Sequence, residues 1–230
     1  MIEVTHVDHM GKDLSVANAA RVSFGKKSDL DWSDPWSPPK LKEKDAKLIQ
    51  YLAKHKHISP FGHCFASFHI KAPVFVARQL VKHKFLRWNE VSRRYVDSEP
   101  EFYVPKSWRG RSEDKKQGST NEEVNPCDFY GFDSMAEAVN SFDGEQLKLY
   151  NDMLAAGVCP EQARMVLPQS MMTEWYWSGS LDAFADMCNL RCKPDTQAET
   201  RFVADAISEE MEKLFPVSWE ALTGGKDSEG

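Results

Sequence analysis

The chain has 230 residues, of which 41% are hydrophobic and 28% are charged, as in an ordinary globular protein. This length allows one well-packed domain, and the composition excludes disorder on the scale of the whole chain. The formal net charge of −6 argues against a general nucleic-acid coat protein, because such proteins carry an excess of basic residues. We therefore expect no nucleic-acid partner.

Cysteine usage and hydropathy indicate the compartment. The five cysteines are an odd number at wide spacing, unlike a secreted disulfide framework. Cys188 and Cys192 are not accompanied by a second Cys or His pair at zinc-ligand spacing. The N-terminal segment has no apolar leader, and no run approaches the roughly 20 apolar residues of a membrane span. We expect a soluble, cytoplasmic protein with no metal site and no membrane partner.

Hydrophobic periodicity predicts helices with a few strands. In chain order, strands are predicted at 2–7 and 64–71, and helices at 15–23, 42–56, from 72 through His83, at 134–155, 181–191 and 196–214. Residues 24–41 and the polar segment 106–130 have little periodicity and are interpreted as loops, the second as an excursion. Ser180 is expected to cap the helix at 181–191, and Thr196 with Glu199 to form a capping box at the next helix.

These elements predict an α+β fold. Helices dominate, and the strands do not alternate with them as they do in βαβ units. We expect helices packed around a small, largely antiparallel sheet in one domain over residues 1–230, with 106–130 as an inserted polar loop. The glycine-rich motifs that bind dinucleotides and nucleoside triphosphates are absent from the sequence.

A basic segment spans residues 77–97 of this acidic protein. Its cationic or potentially cationic side chains are Arg78, Lys82, His83, Lys84, Arg87, Arg93 and Arg94. Guanidinium forks and the Ser92 hydroxyl are suited to binding a phosphorylated small molecule. Arg78 and Lys82 would share a helical face if the helix continues. A solvated basic helix end explains the charge alone equally well. Glu90 within the segment argues against a tract that binds a phosphate backbone.

Two further arginines lie in distinctive settings. Arg164 is in a predicted short helix flanked by apolar residues, and Arg191 is at the C-terminal end of a predicted helix. A nearby carboxylate could account for Arg164, and the helix dipole could account for Arg191. Residue type alone leaves both the structural and the functional interpretation open.

Several motifs in a fixed order resemble those of the flavin-dependent thymidylate synthases. They are His57-Ile-Ser59-Pro-Phe-Gly62-His63, Ala72-Pro-Val-Phe-Val-Ala-Arg78-Gln79, Lys82-His83-Lys84, Asn89-Glu90-Val-Ser92-Arg-Arg94-Tyr95, Glu161 to Pro168, and Asn189 to Gln197. The resemblance runs from about Ala17 to Trp219. Three positions depart from the family pattern: Lys82-His83-Lys84 replaces Arg-His-Arg, Gly62 replaces Glu, and Ser180-Leu-Asp182 replaces Asn-x-Arg.

The resemblance implies an activity and a set of binding residues. The reaction is reductive methylation of dUMP to dTMP, with methylenetetrahydrofolate as one-carbon donor and NADPH as reductant through FAD. The residues implied for dUMP are Gln79, Lys82, Glu90, Ser92, Arg93, Arg94, Arg164 and Arg191. Those implied for FAD are His57, Ser59, Lys82, His83, Lys84, Asn89, Glu90 and Ser180. The resemblance also implies a homotetramer whose sites are shared between subunits.

Arg191 is the expected catalytic residue of such a reaction. By resemblance, its guanidinium lies beside the pyrimidine and stabilises negative charge that develops on the ring. No enzyme nucleophile is expected, since no His-Asp pair is evident to activate Ser92. Two other classes stay open: a binder of RNA or single-stranded DNA through residues 78–95, and a nucleotide-binding homologue that has lost its flavin. The three departures from the family pattern motivate the second of these.

Overall fold

Helices and short strands make up most of the residues that the computed structural model describes, which are 1–96, 98–112, 118–124 and 129–224. The strands are β1 (Glu3–Met10), β2 (Phe65–Pro73), β3 (Leu86–Glu90), β4 (Arg109–Arg111), β5 (Ser119–Glu123) and β6 (Met172–Ser180). The helices are α1 (Asp13–Arg21), α2 (Glu43–Lys54), α3 (Val74–Leu80), α4 (Met135–Ala155), α5 (Pro160–Ala163), α6 (Leu181–Arg191), α7 (Ala198–Leu214) and α8 (Pro216–Thr223).

A four-stranded antiparallel sheet with the order β1-β2-β6-β3 lies at the centre of the fold. In β2, Ala66, Phe68 and Ile70 are buried, while the residues between them are at least partly exposed. This period of two places one face of the strand in the hydrophobic core. The small antiparallel sheet with its surrounding helices confirms the predicted α+β fold.

Helix α6 packs on the buried face of the sheet through aromatic contacts. The ring centroid of Phe184 in α6 lies 5.3 Å from that of Phe68 and 5.7 Å from that of Trp177, edge to face in both cases. Beside them, Trp175 stacks on Trp88 of β3 at 4.4 Å. Truncating a buried ring of this kind costs about 3–5 kcal/mol. These contacts fix the position of α6, whose C-terminus carries a predicted site residue.

The opposite face of the sheet is left open by the described part of the chain. Phe65 and Tyr176 on this face are 43% and 51% exposed. The Tyr176 ring contacts that of His69 at 5.3 Å, and the hydroxyls of Ser67 and Ser178 are 2.8 Å apart. An antiparallel sheet can keep one face in water, but exposed aromatic residues on that face are typical of an interaction surface.

Helix α3 is shorter than the sequence predicts. It ends at Leu80, and His83 lies in the following turn, where its backbone N–H donates to the Leu80 carbonyl at 3.1 Å. The chain then reverses through Phe85, whose φ is +65°, and enters β3, which pairs with β6. The helix does not continue to Lys82, so the helical face that Arg78 and Lys82 would have shared does not form, because strand pairing overrides the local helical pattern.

The predicted side-chain caps also differ from those observed. Ser180 does lie at the N-cap position of α6, but its side chain makes no capping hydrogen bond. The predicted capping box is wrong, because α7 begins at Ala198 and its N-cap residue is Gln197, not Thr196. The Thr196 hydroxyl donates instead to the Leu190 carbonyl at 3.2 Å, and the Glu199 carboxylate binds a guanidinium. A carboxylate forms a stronger hydrogen bond with a charged donor than with a neutral backbone N–H.

The remaining predicted strands and helices are confirmed to within a few residues, as is the loop at 24–41. Periodicity missed β3, β4, β5, β6 and α8. In β6, Trp175 and Trp177 are buried while Tyr176 between them is exposed. Burial alternates along this strand, but aromatic residues occur on both of its faces, so residue type alone shows no alternation.

The segment 106–130 contains an antiparallel hairpin of β4 and β5. Residues 113–117 and 125–128 of this segment, with Cys127 among them, lie outside the described residues. Among the described helices, none has the length and apolarity needed to cross a membrane.

Candidate functional site

Helix α3 separates two cavities that are lined by five of the predicted site residues. Phe75 and Gln79, one turn apart on α3, line a cavity of about 780 Å³. Val74 and Arg78, also one turn apart, line a second cavity of about 560 Å³. Successive helical residues point about 100° apart, whereas residues four apart share a face. Arg78 and Gln79, although adjacent in sequence, therefore face different cavities.

The larger cavity is enclosed by α3, the end of α6 with its following loop, the first turn of α7 and part of the 106–130 segment. Tyr103 and Trp108 contribute aromatic surface, while Arg191 and Lys193 contribute positive charge. The volume lies within the range of about 300–1,000 Å³ that is usual for small-molecule sites. An apolar wall with a few cationic groups suits an aromatic anion.

Arg191, the last residue of α6, is oriented by a histidine. Its Nε donates to Nε2 of His83 at 3.0 Å, so His83 must be unprotonated at that nitrogen. Burial, followed by the positive charge of Arg191, lowers the pKa of His83 to about 4. In the described residues the terminal NH2 groups of Arg191 have no hydrogen-bond partner. A neutral His83 thus holds one edge of the guanidinium and leaves the other edge for a ligand.

Protonation of His83 is expected to destabilise the protein. The pKa of about 4 in the folded chain lies below the ordinary value of 6.5, so protons bind the unfolded chain first. The stability from the neutral imidazole is complete above pH 6.5 and is lost as the pH falls toward 4. The variant His83→Gln keeps an acceptor for Arg191 but cannot be protonated in this range. We predict that its free energy of unfolding, measured by chemical denaturation, falls less than that of wild type as the pH is lowered from 6.5 to 4. A His83 resonance that titrates near its ordinary pKa in NMR spectra would contradict this.

An ion pair anchors the β4–β5 hairpin to α7. Nη2 of Arg109 lies 2.9 Å from both carboxylate oxygens of Glu199, whose side chain is only 8% exposed. Burial, followed by the negative charge of Glu199, raises the pKa of Tyr103 beside it. All three residues line the larger cavity, so this ion pair holds the hairpin as a wall of the cavity.

The smaller cavity gathers charged residues from three segments. Glu90 at the end of β3, Arg93 just after it and Arg164 after α5 all line it. The Glu90 carboxylate accepts from the Thr173 hydroxyl at 2.8 Å and from the Trp88 indole N–H at 3.0 Å. The Arg93 guanidinium also donates to a nearby backbone carbonyl. With Arg78 of α3, three guanidinium groups line this cavity near a fixed carboxylate, an arrangement that can bind an anionic group that also carries a donor.

The other predicted site residues line neither of these two cavities in the described structure. Lys82 and Lys84 are exposed in the turn between α3 and β3, and the Asn89 side chain is exposed on β3. Arg94 is exposed after β3 and lies over the Tyr95 ring, and its backbone N–H donates to the Ser92 hydroxyl at 3.3 Å. His57 and Ser59 are exposed in the segment between α2 and β2. Ser180 is partly buried at the end of β6.

Two of the positions that depart from the family pattern are neighbours. A Cβ atom on Gly62 would lie 3.9 Å from Oδ1 of Asp182. That oxygen is buried and has no hydrogen-bond partner among the described residues. Burial, followed by the charge of Asp182, raises the pKa of Asp186 one turn later. The start of α6 is therefore acidic where the resemblance implied a cationic flavin contact.

Solved structures relate this arrangement to enzymes that methylate nucleotides. The crystal structure of a UMP/dUMP methylase, PolB, from Streptomyces cacaoi bound with 5-Br dUMP is similar to this chain with a TM-score of 0.80 and 29% identity. The match covers 97% of this chain and 95% of that one. The same enzyme bound with 5-Br UMP matches with a TM-score of 0.78.

Sequence comparisons assign the family. The model of the family described as "Thymidylate synthase complementing protein" matches residues 5–217. The flavin-dependent thymidylate synthase of Thermus thermophilus is 36% identical over 94% of this chain and 73% of its own length. That of Kosmotoga olearia is 37% identical over 94% of this chain and 87% of its own length. The chain belongs to the flavin-dependent thymidylate synthase family.

Sequence reasoning missed several residues that line the two cavities or contact their lining. Glu199 was interpreted as part of a capping box, and Arg109 as part of an irregular excursion. Thr173 and Thr200, which bond to predicted site residues, had no signal in the sequence. Each of the four acts through a contact between distant segments, and local spacing carries no information on such contacts.

Proposed function

We propose that this chain catalyses the reductive methylation of dUMP to dTMP, with methylenetetrahydrofolate as one-carbon donor and NADPH as reductant through FAD. The observation that carries the proposal is Arg191, which His83 orients at the edge of a cavity with aromatic walls that is large enough for a nucleotide. The names of the relatives and the dUMP analogue in the similar methylase support the same substrate.

Arg191 is proposed to activate the pyrimidine. Carbon 5 of uracil is a poor nucleophile while N3 keeps its proton, and negative charge develops on the ring as that proton is lost to solvent, which makes carbon 5 nucleophilic. A guanidinium fixed beside the ring stabilises that charge without reorganising during the reaction. Burial lowers the pKa of Arg191, but a guanidinium stays charged at neutral pH. No serine or cysteine nucleophile is needed, because the pyrimidine itself attacks.

The phosphate and sugar of dUMP are proposed to bind at residues of the smaller cavity and beside it. Arg93 and Arg164 offer forked donors to a phosphate, and Ser92 with Arg94 lies in the adjoining turn. Glu90, held by Thr173 and Trp88, is positioned to accept a hydrogen bond from a sugar hydroxyl. These roles agree with those implied by the family resemblance.

The exposed turn between α3 and β3 fits a flavin cofactor. Lys82 and Lys84 are exposed cations with no ion-pair partner in the described residues, and Asn89 adds an exposed amide nearby in sequence. Together with His57, Ser59 and Ser180, these side chains would hold FAD, with the lysines at its pyrophosphate. When bound, the flavin supplies the electron pair that converts the transferred methylene group into a methyl group.

The site is proposed to be shared between subunits of a homotetramer. Gln79 and Arg191 line one cavity while Glu90, Arg93 and Arg164 line another, with α3 between them. A second copy of the chain could bring the larger cavity of one subunit against the smaller cavity of its neighbour. The open aromatic face of the sheet provides surface for such an assembly. We place this enzyme in the cytoplasm, since its widely spaced cysteines do not form a secreted framework.

The proposed function is tested first by visible absorbance and by product formation. Purified protein is expected to show flavin absorbance at about 450 nm, which bleaches on anaerobic addition of NADPH with dUMP. Addition of methylenetetrahydrofolate should then yield dTMP and tetrahydrofolate. Protein that stays colourless with excess FAD, yet binds dUMP, would instead indicate a nucleotide-binding homologue that has lost its flavin. The acidic start of α6 makes that the second candidate.

A further inference from the structure

Thr200 makes an unusual contact for a buried helical threonine. It is 0% exposed in the first turn of α7, and its hydroxyl donates to Oε1 of Gln79 on α3. A threonine in a helix interior commonly donates to the carbonyl four residues earlier, but for Thr200 that carbonyl belongs to Thr196, before α7 begins. Here the hydroxyl crosses to a second helix and ends on a side chain that lines the larger cavity.

This contact occupies the oxygen end of the Gln79 amide. A glutamine side chain has one acceptor group, its oxygen, and one donor group, its NH2. With Oε1 held by Thr200, the NH2 group is the end left for the cavity. A ligand atom that meets Gln79 must then be a hydrogen-bond acceptor, such as a carbonyl or sugar oxygen.

The residue before Thr200 stabilises the same turn. Glu199 holds Arg109 of the β4–β5 hairpin through two contacts of 2.9 Å. The first turn of α7 is therefore tied to the cavity wall on one side and to α3 on the other. Such a fixed support keeps the hydroxyl of Thr200 in place for Gln79.

We propose that Thr200 is a positioning residue for the substrate: it fixes the Gln79 amide so that a donor, and not an acceptor, faces the ligand. The inference rests on the proposed function, because it takes dUMP as the ligand. A buried hydroxyl that only filled space could be replaced by an isosteric methyl group without changing the affinity of the ligand. A hydroxyl that orients Gln79 could not.

Four variants of the flavin-loaded enzyme test this role. Thr200→Val keeps the shape and removes the donor, Thr200→Ser keeps the donor, and Gln79→Glu keeps an oxygen for Thr200 but offers no NH2 group. Thr223→Val is the matched control, because Thr223 donates to the Trp219 carbonyl of its own helix, α8. We would measure the dUMP dissociation constant, KM, kcat, the flavin spectrum and the melting temperature of each.

Thr200→Val is expected to weaken dUMP binding about fivefold to tenfold, as for loss of one oriented hydrogen bond. The effect should appear mainly in KM, with an unchanged flavin spectrum. Thr200→Ser and Thr223→Val should bind dUMP as wild type does, and Gln79→Glu should bind it at least as weakly as Thr200→Val.

The outcomes separate this inference from the proposed function. If wild type binds dUMP and Thr200→Val binds it equally well, the positioning role is overturned and the proposed function is unaffected. If Thr200→Val does not fold, Gln79→Glu decides, since wild-type affinity in that variant would overturn a donor role for Gln79. If the wild-type enzyme itself does not bind dUMP, both the proposed function and this inference fail.

Discussion

Replacement of Arg191 by alanine is expected to lower the rate of dTMP formation by about 10²- to 10³-fold, the usual effect of removing one preorganised donor from a developing charge. Arg191 ends α6 and is held by His83, so the substitution removes a guanidinium from the cavity without disturbing the aromatic contacts of α6 with the sheet. The pKa of His83 should rise from about 4, because a neighbouring positive charge is lost.

Single-turnover kinetics with saturating dUMP would measure this effect on the chemical step directly. Arg191→Lys is the informative companion variant, since it keeps the charge but lacks the planar fork that serves His83 and a ligand together. We expect it to recover only a small part of the activity. Melting temperatures and flavin absorbance of both variants should match the wild type. Turnover by Arg191→Ala close to that of wild type would remove Arg191 from the mechanism.

Two inactive variants are expected to restore activity when they assemble together. If each site takes Arg191 from one subunit and Arg164 from its neighbour, mixed oligomers of Arg191→Ala and Arg164→Ala contain sites with both arginines. Random assembly from equal amounts places both wild-type residues in about a quarter of the sites. Activity should therefore rise from near zero to about that fraction of wild type. Co-expression with two different affinity tags would isolate the mixed oligomers.

A second mixture is the control for this complementation. Gln79 and Arg191 line the same cavity of the same chain, so Arg191→Ala mixed with Gln79→Ala should gain nothing. Every site then receives a defective larger cavity, whichever subunit supplies it. Rescue in both mixtures would indicate exchange of another kind, and rescue in neither would place the complete site within one chain.

The family and five of the residues that line the cavities were evident from the sequence because its motifs are local and ordered. The segment from Ala72 to Gln79 contains all of α3 except its last residue. Arg164, predicted within a short helix, begins the 3-10 turn that follows α5, and Arg191 ends α6 as predicted. Where the sequence interpretation was wrong, a distant partner was responsible. Glu199 has the spacing of a capping box, but Arg109, 90 residues away in sequence, binds its carboxylate.

Composition, periodicity and ordered motifs were sufficient to predict the family and the α+β class, and to nominate residues whose types suit an anionic nucleotide. The distribution of those residues depends on contacts between distant segments of the fold. Helix α3 ends at Leu80 because β3 pairs with β6. Gln79 and Arg78 lie on different sides of this short helix and therefore line different cavities. The hydrogen bonds from Arg191 to His83 and from Thr200 to Gln79 likewise join residues more than 100 positions apart. Such contacts form only when the core brings the segments together.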